Sequence, residues 1–256
     1  MLQLAAELIE RHTQGASEEL RLHAPDLARR LNAGQAVLLR AGWGQTPYLR
    51  RVFHPIAIDA DTWTVRLPPS GDWGHAWLRA APLGTHLDCL GPIGIGYVLP
   101  AGIRSLLCVG EGEAAWSLLP VVCLAAAQGI SVTFALEAGT ARQAIPATRL
   151  PSSVEYHVAT VDGSLGSRGK LAGVMGALLG WADGVLAAGS LDFYAGLSEE
   201  VKRARFRLVP GFAQVLYPAN ILCGTGACQA CAADVAGGRR RMCLRGPVLD
   251  LAELLA

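Results

Sequence analysis

Short apolar segments separated by turn-forming residues make up the first hundred residues of the chain. Segments with the length of strands lie at residues 4–11, 19–23, 36–41, 51–58 and 63–67. Glycine and proline separate these segments, most densely at residues 68–71, which read Pro-Pro-Ser-Gly. Short strands at such close spacing predict an antiparallel barrel or sandwich.

A different rhythm begins after Pro100, where short apolar runs alternate with longer apolar segments. The runs of strand length lie at residues 105–109, 131–136, 154–159 and 184–188. The segments of helical length lie at residues 114–128, 171–179 and 192–204. This alternation predicts βαβ units around a parallel sheet. We therefore expect a β + α/β fold, with a β domain at 1–98, an α/β domain at 99–210 and a cysteine-rich domain at 211–256.

The charge balance narrows the range of partners. The chain has 22 basic and 21 acidic residues, so it lacks the basic face that is typical of nucleic-acid-binding proteins. Charged residues make up 17% of the chain, against about 25% in an average soluble protein. This low share predicts that a partner protein covers part of the surface.

No segment of the sequence predicts export or membrane insertion. The most apolar stretch, residues 114–127, contains Ser117 and Pro120 and is shorter than the roughly 20 residues that span a bilayer. The first residues lack the basic region and continuous apolar run of a secretion signal. Seven cysteines, an odd number, favour a reducing compartment over a disulfide framework. We expect a cytoplasmic protein without a membrane span.

Four of the cysteines lie close together near the C-terminus with the spacing C-x4-C-x2-C-x11-C. They are Cys223, Cys228, Cys231 and Cys243. The first three cysteines match the plant-type ferredoxin run, in which a tight loop and one distant cysteine hold a [2Fe–2S] cluster. Small residues at Gly224, Gly226 and Ala227 let the backbone curl and point its N–H groups at the cluster.

Structural zinc is the alternative for this quartet. Zinc sites favour two pairs of cysteines, each with two to four residues between its members. Only Cys228 and Cys231 form a close pair of this kind, because the spacing ahead of them is at the edge of that range. The quartet therefore favours the cluster over zinc, and both remain open at the level of the sequence.

Nearly the whole chain resembles the electron-transfer subunit of the two-subunit dihydroorotate dehydrogenase, a branch of the ferredoxin–NADP reductase superfamily. The segments that carry this resemblance, besides the quartet, are LHAPDLA at 22–28, AGQAV at 33–37, LGPIGIGY at 90–97, DGSLGSRG at 162–169 and CLRGPV at 243–248. The resemblance implies an N-terminal antiparallel β-barrel that binds FAD, a parallel α/β domain like those that bind NAD, and a C-terminal cluster segment.

The resemblance also implies where FAD binds. The family carries an Arg-Pro-(Phe/Tyr)-Ser motif whose arginine meets the cofactor's diphosphate and whose aromatic ring packs against the flavin. The matching residues here are Arg51, Val52, Phe53 and His54. The family's Gly-Thr at the start of a short helix corresponds to Gly74 and His75, and the strand between the two motifs contributes Thr64, Val65 and Arg66.

The nicotinamide site departs from the family pattern. The family places a glycine-rich turn at the end of a strand, and the matching glycines are Gly110 and Gly112. Glu111 and Glu113 flank Gly112, where the phosphates of a dinucleotide would approach the helix that follows. Ser190 replaces the family's cysteine beside the nicotinamide. We therefore expect weak binding of NAD(H), or none.

The function implied by the resemblance is electron transfer in pyrimidine biosynthesis. In the family, NADH reduces FAD, and electrons then pass singly through the cluster to an FMN in a catalytic dehydrogenase subunit, so a hetero-oligomer is expected. One alternative is a related electron-transfer subunit of a hydrogenase, a sulfide dehydrogenase or a glutamate-synthase-like complex. The other alternative is a divergent accessory subunit that has lost nicotinamide binding.

Overall fold

The alternation of apolar and polar residues in the first part of the chain produces a seven-stranded antiparallel sheet. The structure, a computed structural model, describes residues 1–42 and 48–254. The strands are β1 (Leu2–Gln14), β2 (Ser17–His23), β3 (Ala36–Arg40), β4 (Arg51–Phe53), β5 (Ala57–Ile58), β6 (Thr62–Leu67) and β7 (His86–Ile93). Two helices accompany them, α1 (Pro25–Ala28) and α2 (Trp73–Ala80).

This sheet confirms the predicted antiparallel β architecture in the form of a half-barrel. Its strand order is β4-β3-β7-β1-β2-β6-β5, and every pair in it is antiparallel. Leu8, Leu22, Leu39 and Trp63 are fully buried in its apolar core. The predicted strand at 51–58 is divided into β4 and β5, because Pro55 has no N–H with which to continue a ladder.

The central part of the chain forms the predicted alternation of strands and helices. The strands are β8 (Ser105–Glu111), β9 (Ser131–Ala138), β10 (Glu155–Thr160), β11 (Ser167–Arg168), β12 (Gly184–Ala188) and β13 (Ala213–Leu216). The helices are α3 (Leu119–Ala127), α4 (Ala172–Trp181) and α5 (Leu191–Arg205), with 3-10 turns at Gly112–Leu118 and Ala147–Arg149. The C-terminal segment adds β14 (Ala232–Val235), β15 (Gly238–Arg241), α6 (Met242–Arg245), β16 (Val248–Asp250) and α7 (Leu251–Leu254).

These central strands confirm the predicted parallel sheet. The order is β11-β10-β9-β8-β12-β13-β16, and only the last pair is antiparallel. The predicted helix at 114–128 was wrong at its start, because residues 112–118 form a 3-10 turn and the α-helix begins at Leu119. Pro120 lies in the first turn of α3, where a missing N–H does no harm, and so favours a helix start at this point.

The chain divides into two compact units that are not continuous in sequence. Residues 1–96, 219–233 and 240–247 form the first unit, and the remaining described residues form the second. All four cysteines of the quartet therefore belong to the unit that contains the antiparallel sheet. The three-domain division at 98/99 and 210/211 stays a prediction. Within residues 1–42 and 48–254, no helix combines the length and apolarity needed to cross a membrane.

Candidate functional site

The cysteine loop is held in place by close backbone packing. Gly224 and Gly226 have φ values of +72° and +81°, which non-glycine residues rarely adopt. A Cβ atom on Gly226 would lie 2.6 Å from Cδ1 of Leu244 in α6, so the loop and this helix pack in direct contact. The predicted unusual backbone is present at Gly224 and Gly226, whereas the third positive φ in the loop belongs to Gln229 rather than to Ala227. The role of these glycines toward a cluster stays a prediction.

The four cysteines divide into two neighbouring pairs. The N–H of Cys243 donates to Sγ of Cys231 at 3.5 Å, and both residues are buried. Cys223 is partly exposed and is hydrogen-bonded to Cys228, which is exposed. Burial raises the pKa of Cys223, but hydrogen bonds from Cys228 and Thr225 outweigh burial and lower it to about 6. Burial and the neighbouring Cys231 raise the pKa of Cys243 to about 11.

Two pairs fit a dinuclear cluster better than a single ion. A structural zinc would need four ligands around one point. A [2Fe–2S] cluster instead shares four thiolates between two irons, and the loop's N–H groups already point at one of these sulfurs. The donor set and its pairing therefore fit the cluster.

A second candidate site lies at the start of α2, where Arg51 from β4 crosses the helix. Nε of Arg51 donates to Oδ1 of Asp72 at 2.7 Å, and its Nη1 donates to the carbonyl of Leu49 at 2.7 Å. A Cβ atom on Gly74 would lie 2.7–2.9 Å from atoms of the Arg51 side chain. The guanidinium therefore lies over the helix start only because residue 74 is glycine, and the structure brings these two predicted residues together.

Asp72 was not identified from the sequence, although an aspartate directly before a helix is a recognisable N-cap signal. Its Oδ1 accepts the N–H of His75 at 3.0 Å as the helix cap. The hydrogen bond from Arg51 is the main reason that the pKa of Asp72 falls to about 2. The start of α2 thus combines a guanidinium with free-facing helix N–H groups, an arrangement that suits an anion.

The other residues of the predicted flavin motif lie around this helix start. Phe53 is buried, and its ring centroid is 5.5 Å from that of His75. Nδ1 of His54 lies 3.3 Å from the carbonyl oxygen of Gln35, and burial lowers the pKa of this histidine. Burial also lowers the pKa of His75. Neutral histidines at positions 54 and 75 leave Arg51 as the cation of the motif.

The predicted cofactor-binding residues of β6 differ in their burial and contacts. Val65 of β6 is fully buried in the apolar core, and Arg66 is buried with its Nη1 3.4 Å from Oε1 of Glu19. Thr64 of β6 is partly exposed. The roles of Val52 and of these three residues toward a cofactor stay predictions.

A buried carboxylate fixes the chain just before Arg51. Asp88 of β7 is completely buried and lies 2.7 Å from Nη2 of Arg50 and 2.7 Å from Nη2 of Arg40. Because Arg50 directly precedes β4, this pairing ties the start of β4 to the centre of the sheet. The sequence offered no signal for it, since the three residues come from three separate segments.

At the predicted nicotinamide turn, Glu111 contacts a different helix from the one expected. Its carboxylate accepts the backbone N–H of Ser190 at 2.9 Å, and Ser190 is the N-cap of α5. The expectation that this carboxylate faces the helix directly after β8 is therefore corrected, because the 3-10 turn displaces that helix start to Leu119. Gly110 packs closely against the turn, since a Cβ atom on it would lie 2.3 Å from Cβ of Ala115.

A small cavity of about 100 Å³ opens beside this turn in the second unit. Its charged lining residues are Glu137, Lys170, Asp192 and Glu200. Oε1 of Glu137 accepts the N–H of Leu171 at 2.8 Å, so this carboxylate helps to position the start of α4. Three of the four charges are negative, which does not favour the phosphates of a dinucleotide.

Comparison with known proteins agrees with the cysteine geometry. Residues 219–255 match the model of the iron–sulfur cluster binding domain of dihydroorotate dehydrogenase B. The chain is 30% identical over 230 residues to the dihydroorotate dehydrogenase B (NAD(+)), electron transfer subunit of Bacillus caldolyticus, covering 87% of this chain and 86% of that protein. It is 29% identical over 244 residues to the protein of the same name from Geobacillus thermodenitrificans, covering 93% and 92%.

Solved structures share the fold at lower sequence identity. An NADH-dependent reduced ferredoxin–NADP oxidoreductase is similar with a TM-score of 0.80 at 21% identity, covering 97% of this chain and 89% of the other. The cytochrome b5 reductase domain of the nitrate reductase of Ulva prolifera is similar with a TM-score of 0.64 at 15% identity, covering 84% and 97%. These likenesses confirm the predicted architecture of the ferredoxin–NADP reductase type.

Proposed function

Because the chain belongs to the family of dihydroorotate dehydrogenase B electron transfer subunits, we propose that it carries electrons between FAD, an iron–sulfur cluster and a catalytic dihydroorotate dehydrogenase subunit. The arrangement of the cysteine quartet is the observation that carries this proposal. Four thiols lie in two adjacent pairs in one glycine-rich loop and one short helix, and the pKa of one of them is already lowered to about 6 by loop hydrogen bonds.

Cys223, Cys228, Cys231 and Cys243 would hold the cluster. The N–H groups and hydroxyl of the loop stabilise a thiolate at Cys223, which is the form that binds iron. Leu244 covers one side of the loop, while Cys228 remains exposed. The exposed edge is the side from which a partner protein would reach the cluster over a short distance.

Arg51 and the start of α2 would hold the diphosphate of FAD. The contacts of Arg51 use Nε and Nη1, so within the described residues Nη2 has no protein acceptor and can meet a phosphate. Phe53 and His75 form an aromatic surface beside the guanidinium. A bound flavin takes up electrons in pairs and releases them singly, which is the chemistry that links a hydride donor to a one-electron cluster.

The proposal also concerns the identity of the partner protein. The relatives are named as electron transfer subunits of dihydroorotate dehydrogenase B, and we infer that this chain joins a catalytic subunit of that kind in the cytoplasm. Co-expression with such a catalytic chain should give a complex that elutes as one species and reduces the cluster when dihydroorotate is added. Failure of the two chains to associate would favour the alternative partners.

Metal and flavin content tests the proposal directly. Protein purified without oxygen should hold about two irons and two acid-labile sulfides per chain, and should take up FAD when it is added. Replacing Cys223 by serine should abolish the cluster's visible absorbance. The matched control is Cys123→Ser, since Cys123 is exposed on α3 in the other unit. One zinc per chain without sulfide would contradict the proposal.

A second function has one observation in its favour. The carboxylate of Glu111 accepts a hydrogen bond from the N–H of Ser190 at the start of α5, where the family pattern places the nicotinamide. An electron transfer subunit that receives electrons only from its partner, and not from NADH, would show this feature. Anaerobic addition of NADH to the flavin-loaded protein separates the two functions.

A further inference from the structure

We propose that the Asp72 carboxylate sets how tightly this chain holds FAD, by neutralising the arginine that meets the cofactor's diphosphate. The inference rests on the flavin role proposed above. Asp72 lies outside the flavin motif at residues 51–54, and we expect its negative charge to lower the affinity of this chain for FAD.

The geometry places Asp72 at the centre of the anion-binding arrangement. One oxygen, Oδ1, accepts both Nε of Arg51 at 2.7 Å and the N–H of His75 at 3.0 Å. The ion pair is partly open to solvent, with 25% of the Arg51 side chain and 38% of the Asp72 side chain exposed. A carboxylate of the protein therefore already occupies one N–H of the guanidinium and one N–H of the helix start that an incoming phosphate would approach.

The charges at the start of α2 itself balance one another. Arg51 and Asp72 cancel, and His75 is held in its neutral form because burial lowers its pKa. Arg79, at the other end of α2, donates to the carbonyls of Pro68 and Ser70 and lies 3.5 Å from Glu18. The ion pair at the helix start thus offers the diphosphate of FAD hydrogen-bond donors but no net charge, so we expect weaker binding than an unpaired Arg51 would give.

Asp72 also has a positioning effect, which must be separated from its charge. By fixing Nε it turns the other edge of the Arg51 guanidinium outward. Asparagine keeps an oxygen that can accept both hydrogen bonds, and it caps helices about as well as aspartate. Asp72→Asn therefore removes the charge and preserves the position of the arginine.

The experiment is a titration of the flavin-free full-length protein with FAD, followed by quenching of flavin fluorescence. We expect Asp72→Asn to lower the Kd about tenfold at an ionic strength of about 0.01 M. The gain should shrink at about 0.15 M, where the Debye length is only ~8 Å. Asp72→Ser also supplies a helix cap but gives up the contact that positions Arg51, so it should show a smaller gain in affinity and the same change in salt dependence. The control Asp59→Asn removes an exposed carboxylate that pairs with Arg21 at 3.3 Å, and it should leave the Kd unchanged.

The possible results separate this inference from the flavin role itself. If Asp72→Asn and Asp72→Ser bind FAD with unchanged or lower affinity while the wild type binds it, Asp72 only positions Arg51 and the inference is overturned. If neither the wild type nor the variants bind FAD while all of them carry the cluster, the flavin role fails and the inference fails with it. A salt dependence identical in wild type and variants also overturns it, because a purely structural role would not change that slope.

Discussion

The substitution Gly74→Ala should weaken the binding of FAD while leaving the thermal stability of the protein almost unchanged. An alanine Cβ at this position would lie 2.7 Å from Nε, 2.8 Å from Cζ and 2.9 Å from Cγ of Arg51. Real Cβ atoms do not approach other atoms so closely, and the backbone of α2 is held by its cap. The flexible arginine must therefore leave the helix start, and its hydrogen bond to Asp72 is broken.

The expected magnitudes differ greatly between the two readouts. Alanine in place of glycine within a helix stabilises it by about 0.5–1 kcal/mol. Loss of a partly exposed ion pair costs about 0.2–1 kcal/mol, so the two effects nearly cancel and the Tm should change by only a few degrees. Charge-assisted hydrogen bonds contribute about 1.5–3 kcal/mol, which corresponds to FAD binding about ten- to a hundredfold weaker.

The assay compares Gly74→Ala with Gly71→Ala, because a Cβ atom on Gly71 would have open space around it. Thermal unfolding followed by circular dichroism gives the Tm, and fluorescence titration gives the Kd of FAD. Gly71→Ala should match the wild type in FAD affinity. If Gly74→Ala binds FAD as tightly as the wild type, Arg51 at this helix start is not the diphosphate anchor.

Three further predictions follow from buried or helix-terminal carboxylates. Glu111→Gln keeps an acceptor for the N–H of Ser190 but removes the charge. We expect NADH to reduce the bound flavin several times faster in this variant, as measured by stopped flow. Rapid reduction of the unmodified protein by NADH would refute this prediction. Asp88→Asn leaves two partly buried arginines without the buried carboxylate that they share, and it should cost about 3–5 kcal/mol in urea unfolding. A loss below about 1 kcal/mol would contradict this pairing. Because the pKa of Asp72 is lowered from 3.8 to about 2, its contribution to stability is present above pH 4 and is lost as the pH falls toward 2. Asp72→Asn should lack this loss of stability. Identical acid unfolding curves of the wild type and the variant would contradict this prediction.

The sequence predicted the elements of the fold because their signals are local. Apolar segments bounded by glycine and proline located β1, β2, β3 and β6 within a few residues, and a single segment covered β4 and β5. The predicted helix start at residue 114 was wrong, although Pro120 is itself a local signal for a later start. Pro120 marks a first helical turn, and the residues before it wind more tightly as a 3-10 turn.

The candidate sites were predictable only in part, because their decisive contacts join distant segments. Spacing alone singled out the cysteine quartet, and the family motif singled out Arg51 and Gly74, which the structure brings together. The partner of Arg51 was not predictable, because Asp72 reads as an ordinary helix cap until β4 is placed beside α2. The contact of Glu111 with Ser190 was hidden for the same reason, since 79 residues separate them.

The starts of α2 and α5 each carry a carboxylate of the protein, and the balance of charge distinguishes these two sites. At α2 the carboxylate of Asp72 is matched by Arg51, so the two charges cancel, while Nη2 of this arginine has no acceptor among the described residues. At α5 the contact given by the structure for Glu111, within the described residues, is a backbone N–H, which leaves a full negative charge where a dinucleotide would approach. Repulsion from an unbalanced carboxylate is about 1 kcal/mol at 4 Å in water and about 4 kcal/mol near a protein surface. FAD and NADH should therefore respond to different single substitutions, FAD to Asp72 and NADH to Glu111, and each affinity can be changed without the other.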